Sequence, residues 1–206
     1  GVTLLLCAVL SALAYYRQVL TWDGSVAAFA VGLLIGVLGD VTWLLLLLFF
    51  LLSSFVATRY RFALKEALGV QEGRRGERRS SNVLANGIAP LAVAAIAFLT
   101  TGRLHDLSGI VFVSVLAVAG ADTIASEIGI LSPNAYLISN GKKVPPGTDG
   151  AVSLLGQACA LTAAAYTAFV GWLVLYVLAP IAGTPAVVPA SSSLVLIPAA
   201  VGFLGC

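Results

Sequence analysis

Charge is what this sequence has least of. Only 10% of its 206 residues are Asp, Glu, Lys or Arg, whereas a soluble domain carries about 25%. Burial cannot account for the deficit, because a domain this small must leave much of its surface in water. Disorder is excluded with it, since disordered chains are charge-rich, and neither collagen-like repeats nor coiled-coil heptads occur. Cysteine is also scarce. Cys7, Cys159 and Cys206 sit inside apolar runs without metal-ligand spacing, so they read as small core residues and form no disulfide framework. The net charge of +2 is too small to suggest a nucleic-acid partner. What is present is hydrophobic: 60% of residues, with a mean hydropathy of +1.03. The runs are continuous rather than alternating, which excludes an outer-membrane barrel and leaves an all-α, polytopic helical membrane protein.

A helix needs about 20 apolar residues to cross the hydrocarbon core. The apolar runs are 2–16, 25–39, 41–57, 83–101, 108–121, 151–181 and 193–206. They predict about seven transmembrane helices, one or two of them short or broken, in a single integral membrane domain over 1–206. Asp40 separates the second run from the third and is expected at an interface. In the run 151–181 the first half is small and polar, the second Leu-, Val- and Trp-rich. The first half is expected against other helices, because small residues let backbones approach closely. Tyr15, Tyr16, Trp22, Trp43 and Tyr60 read as an interfacial aromatic belt. Because the chain begins at Gly1 and stops inside an apolar run at Cys206, one or both ends of the natural protein are expected to be missing.

Basic residues set the orientation. Arg59, Arg61, Lys65, Arg74, Arg75, Arg78 and Arg79 all fall within 58–82, Lys142 and Lys143 within the Gly/Pro-rich stretch 132–150, and Arg17 one hairpin earlier. All three segments fall on one side, which predicts that 58–82 and 132–150 are cytoplasmic loops. The other side receives Arg103, His105 and Asp106, and a Pro/Ser-rich loop at 180–193. His105 reads as a solvated loop residue rather than a ligand.

Three polar constellations need explanation, because ionisable groups at span depth are expensive and commonly functional. The first is Asp122 and Glu127 within Ala-Asp-Thr-Ile-Ala-Ser-Glu-Ile-Gly (121–129). Spacing of five leaves them about 140° apart on a straight helix, so they share a face only if the helix breaks. Gly120, Gly129 and Pro133 make a break plausible. Either this is a polar helix end solvated at the interface, or it is a divalent-metal site, since hard oxygen ligands suit Mg²⁺ with substrate phosphates. The second is Gly-Thr-Asp-Gly-Ala-Val-Ser (147–153), a glycine-rich turn entering a helix with Lys142 and Lys143 just upstream. Such an N-terminus favours an anion, although Thr148 or Asp149 would equally serve as an N-cap. It is not a Walker loop, because the Gly-Lys-Ser/Thr order is absent. The third is the arginine cluster ending in Asn82 and Asn86. Arginines either clamp phosphate or anchor to anionic lipid. The two amides, at i and i+4 in an apolar span, require a polar partner.

Taken together, Arg-Tyr-Arg-Phe through Asn-Val-Leu-Ala-Asn-Gly (59–87), the motif at 121–129 and Gly-Thr-Asp-Gly-Ala-Val-Ser-Leu-Leu-Gly (147–156) resemble one family. It is the integral membrane family of plant and cyanobacterial phytyl-phosphate kinase and its animal transmembrane relatives of unclear function. The resemblance implies phosphoryl transfer from a nucleoside triphosphate, CTP in related polyprenol kinases, to an isoprenyl (phytyl or geranylgeranyl) monophosphate. It implies Mg²⁺ on Asp122, Glu127 and Asp149. Phosphate oxygens would be bound by Gly147, Thr148, Gly150 and Ser153, aided by Lys142, Lys143, Arg75 and Arg79, while Asn82 and Asn86 orient a phosphate or a metal-bound water. Family members are expected to continue, after a Gly-x-x-Gly resembling 202–205, into an Asp-Ser motif that this chain does not contain. Two alternatives stand beside the kinase: a CTP-dependent lipid cytidylyltransferase, and a transporter or binder of an anionic lipid. A homo-oligomer is compatible with either class.

Overall fold

A computed structural model describes residues 1–39, 41–71, 73, 75–100, 105–181 and 193–206. Expectations for Asp40, Arg74, Arg103, the side chains of His105 and Asp106, and the loop at 182–192 lie outside the described residues. The helices are α1 (Val2–Tyr16), α2 (Trp22–Leu38), α3 (Val41–Arg59), α4 (Phe62–Ala67), α5 (Ser80–Leu99), α6 (His105–Gly129), α7 (Leu154–Trp172), α8 (Ala179–Ile181) and α9 (Ser193–Leu204). A π-helical turn, Leu173–Leu178, joins α7 to α8. It lies just ahead of Pro180, and a proline has no backbone N–H to donate to a helical ladder. Four stretches are long and apolar enough to span a membrane: α3, α5, Leu107–Gly129 and Leu154–Leu178. Most of α9, together with α1 and α2, supplies shorter apolar helices. The protein is therefore the all-α membrane bundle that its composition predicts.

Local chemistry moves several boundaries outward from the apolar runs. Helix α2 begins before Ser25 because Thr21 caps it, its hydroxyl accepting from the Gly24 N–H at 3.2 Å. Helix α5 begins at Ser80 because the Asn82 side chain accepts from the Arg79 N–H at 3.2 Å. The stretch 58–82 is not a plain loop, since it contains α4. The stretch 132–150 contains two strands of a small antiparallel sheet, β1 (Ala135–Leu137), β2 (Lys143–Val144) and β3 (Ala151–Val152), in the order β2-β1-β3. Ala151 and Val152 thus belong to a strand and not to the sixth span.

One buried cluster joins α2, α3, α5, α6 and the π-helical turn, with Trp43 of α3 stacked on Phe112 of α6 at 4.2 Å between ring centroids. Trp43 is only 4% exposed, so it leaves the predicted belt. Tyr16 and Trp22, 81% and 70% exposed, fit it. Helices α6 and α7 pack through small residues, as membrane helices do. Ala121, Ala160, Ala163 and Ala164 are all buried there, and a Cβ on Gly129 would come within 2.8 Å of the Gly156 Cα.

The helix ends gather the polar segments at one end of the bundle. Arg78 donates its N–H to the Val19 carbonyl and accepts from Thr21 N–H, both at 3.0 Å. This ties the α1–α2 turn to the start of α5. Ser153 Oγ donates to the Gly129 carbonyl at 3.1 Å, which ties the start of α7 to the end of α6. The close of α3 joins the same end through Thr58 and Lys65.

Candidate functional site

Helix α6 is continuous through 122–127. The two acids therefore keep the roughly 140° separation of a straight helix and point into different surroundings. The break that would unite them does not occur.

Glu127 is held in a buried ion pair. Lys65, fully buried, places Nζ 2.7 Å from Glu127 Oε2 and donates to the carbonyls of Ala57 at 2.9 Å and Thr58 at 3.1 Å. All three ammonium donors thus have acceptors, which is the condition for burying such a charge. The Thr58 hydroxyl stands 2.7 Å from Glu127 Oε1 and receives a hydrogen bond from Arg78 Nη2 at 3.2 Å. Both carboxylate oxygens are engaged, so Glu127 does not join Asp122 and Asp149 in a metal centre. Among the described residues no group of three or more His, Cys, Asp or Glu could hold a metal ion. The predicted three-carboxylate site is not formed.

Asp122 instead faces a cavity of about 380 Å³ that it shares with Asp149, Gly147, Thr148, Gly150 and Ser153. Ser126 and Gln157 also line it. Ser126 was detectable in the sequence, because it lies one turn from Asp122 on the same helical face. The turn that carries Asp149 is set by glycine. Gly147 and Gly150 have φ of +83° and +72°, a left-handed backbone that glycine adopts without strain. Thr148 closes the turn, donating N–H and hydroxyl to the Pro145 carbonyl at 3.3 and 2.8 Å. Cys206 borders the same cavity. Ser153 is the N-cap of α7, accepting from the Gly156 N–H at 3.0 Å; neither Thr148 nor Asp149 takes that role.

The remaining predicted residues lie elsewhere. Asn82 and Asn86 line a second, larger cavity of about 520 Å³. The polar partner that their amides require is local, since Asn86 Nδ2 donates to the Asn82 carbonyl at 2.9 Å. Arg75 is exposed and donates to Gln18 at 3.2 Å. Arg79 is exposed at the N-cap of α5. Lys142 and Lys143 are exposed on and beside β2, Lys143 donating to Asn134 at 2.6 Å. None of these four lines either cavity. Arg17 and Arg59, which the sequence offers only as orientation charges, and Arg78, from its arginine cluster, border the larger cavity.

Against this geometry the comparisons are decisive for lineage. The family described as integral membrane protein DUF92 matches residues 5–206. The chain belongs to that family. It is 34% identical over 156 residues to protein VTE6, chloroplastic, of Arabidopsis thaliana, a match covering 74% of this chain and 46% of the plant protein. It is 30% identical over 173 residues to an uncharacterized membrane protein of Methanocaldococcus jannaschii, covering 84% and 70% of the two chains. A third relative, an uncharacterized membrane protein of Synechocystis, is 34% identical over 160 residues, covering 76% and 61%. This DUF92 chain thus spans about half the length of its plant relative. No solved structure matches it.

Proposed function

We propose that this DUF92 member is a membrane phosphotransferase. It moves the terminal phosphoryl group of a nucleoside triphosphate, CTP by family resemblance, onto an isoprenyl monophosphate and yields the isoprenyl diphosphate. The observation that carries the reading is the meeting of Asp122 and Asp149 with the glycine turn at 147–150 in one cavity.

Phosphoryl transfer requires positioning and charge neutralisation more than covalent chemistry from the protein. The left-handed turn at Gly147 and Gly150 lets a triphosphate approach the backbone closely, and Thr148 holds that turn closed on the Pro145 carbonyl. Lys142 and Lys143 add positive potential outside it. Two carboxylates and neighbouring hydroxyls form a hard-oxygen donor set that fits Mg²⁺, which takes one or two protein carboxylates together with substrate phosphates. When bound, the ion supplies neutralisation of phosphate charge. The bond between the terminal phosphorus and its bridging oxygen breaks, an acceptor phosphate oxygen bonds to that phosphorus, and the nucleoside diphosphate leaves. No side chain need take a proton, because the acceptor phosphate, with a second pKa of about 6, is already ionised near neutral pH. The basic segments predict that this end of the bundle is cytoplasmic.

The test is incubation of the purified protein with Mg²⁺, geranylgeranyl or phytyl phosphate, and CTP labelled in its terminal phosphate. The expected products are labelled lipid diphosphate and CDP. Release of pyrophosphate with CMP on the lipid would overturn the kinase in favour of a cytidylyltransferase. Lack of turnover with every nucleotide and chain length would overturn the enzymatic reading.

A further inference from the structure

The cavity of about 520 Å³ lies among α1, α2, α3 and α5, apart from the acidic one. Its walls are mainly Leu, Val, Ala and Phe, and among the described residues lining it there is no carboxylate. Its charge is confined to three guanidinium groups. Arg17 follows the last turn of α1, Arg59 ends α3, and Arg78 precedes α5, so all three stand at the polar end of the bundle. Two of them are oriented. The Arg59 guanidinium lies 5.0 Å from the ring centroid of Phe55, itself a wall residue. Arg78, 5% exposed, donates to the Thr58 hydroxyl that also contacts Glu127. Asn82 and Asn86 sit on the adjoining face of α5.

Away from the arginines the cavity is lined by residues deep in the helices. Cys7 and Gly32 each lie ten residues from the polar ends of α1 and α2, about 15 Å at 1.5 Å per residue. They converge with Leu44 of α3: a Cβ on Gly32 would stand 3.5 Å from Cys7 Sγ and 3.9 Å from Leu44 Cδ2. The result is an apolar slot with a cationic mouth and a defined floor. Its volume lies within the roughly 300–1,000 Å³ of small-molecule sites and suits one chain, not two.

We infer that this cavity binds one single-chain anionic lipid, with the phosphate among Arg17, Arg59 and Arg78 and the tail length limited by Cys7, Gly32 and Leu44. Only the isoprenyl nature of the tail rests on the proposed function. The charge complementarity and the floor do not. If the lipid is the phosphoryl acceptor, the slot presents its phosphate at the same end of the bundle as the acidic cavity.

The test is equilibrium binding to the detergent-purified protein without nucleotide or Mg²⁺. The probes are geranylgeranyl phosphate, geranylgeraniol, inorganic phosphate and dioleoyl phosphatidic acid. Geranylgeranyl phosphate is expected to bind at least about tenfold more tightly than the alcohol, as loss of charge-assisted hydrogen bonds implies, and the two-chain lipid and free phosphate are expected not to compete. Arg59→Gln should weaken the phosphate-bearing lipid and leave the alcohol unchanged. Gly32→Leu and Cys7→Leu should shift preference from geranylgeranyl to farnesyl or geranyl phosphate, with thermal melts confirming that each variant folds. If the floor variants do not fold, the Arg59→Gln comparison decides the matter. Equal binding of alcohol and phosphate, competition by phosphatidic acid, or uniform weakening of all chain lengths in the folded floor variants would mean ordinary boundary lipid and overturn the inference. Turnover without this binding pattern sinks the slot and spares the kinase; the binding pattern without turnover does the reverse.

Discussion

The two cavities differ in construction. The acidic one is made from a turn with two left-handed glycines, the first turn of α7 and one face of α6. The arginine-rimmed one is made almost wholly of helix flanks. The first brings backbone, hydroxyls and carboxylates to one place, as a site for a highly charged, hydrophilic guest must. The second offers apolar walls and a cationic rim, as a site for an amphiphile must. Apart from the acidic cavity lies the Lys65–Glu127–Thr58–Arg78 network, which reaches the arginine-rimmed cavity through Arg78. On the proposed reading, a single bundle end would present a water-soluble donor and a lipid acceptor to one another without mixing their surroundings.

The largest effect expected from separating the two is on catalysis. Asp149→Asn should reduce phosphoryl transfer by about 10²–10³-fold, the loss typical of removing one preorganised electrostatic group. Steady-state rates with CTP and geranylgeranyl phosphate would measure it, and a loss below about threefold would remove Asp149 from the reaction. The Lys65–Glu127 pair should respond in stability instead. Lys65→Met leaves Glu127 without its ammonium partner and should destabilise the fold by about 3–5 kcal/mol, whereas Lys65→Met with Glu127→Leu should recover most of that loss. Thermal melts of the single and double variants make the comparison. A double variant no more stable than the single one would contradict a simple buried pair. Ser153→Ala should have the smallest effect, about 1 kcal/mol for a lost N-cap, and should leave the KM for nucleotide nearly unchanged. A large rise in KM would restore Ser153 to the phosphate site.

How much of this was legible in the sequence depended on the range of the interaction. The acidic cavity was largely readable. Gly147, Thr148, Asp149 and Gly150 are consecutive, and the Asp122–Glu127 divergence follows from helix geometry alone. What failed was the assumption that a break would override that geometry, because the neutralising cation, Lys65, lies 62 residues from Glu127 in sequence. The sheet at 135–152 went unread because its strands are only two or three residues long, too short for a periodic signal. The arginine-rimmed cavity was the least readable, since Leu, Val and Phe facing a cavity have the same pattern as those facing lipid. Arg17, Arg59 and Arg78 looked like ordinary anchoring charges until the helices brought them to one rim.

The division of labour between the cavities is tested most directly by geranylgeranyl phosphate binding to Asp122→Asn beside the wild type, with transfer from CTP measured on the same preparations. The account predicts that transfer falls by about 10²-fold or more while the dissociation constant of the lipid stays within a factor of about two, since Asp122 borders the acidic cavity and not the arginine-rimmed one. Loss of lipid binding in parallel with transfer, or full transfer despite the substitution, would contradict it.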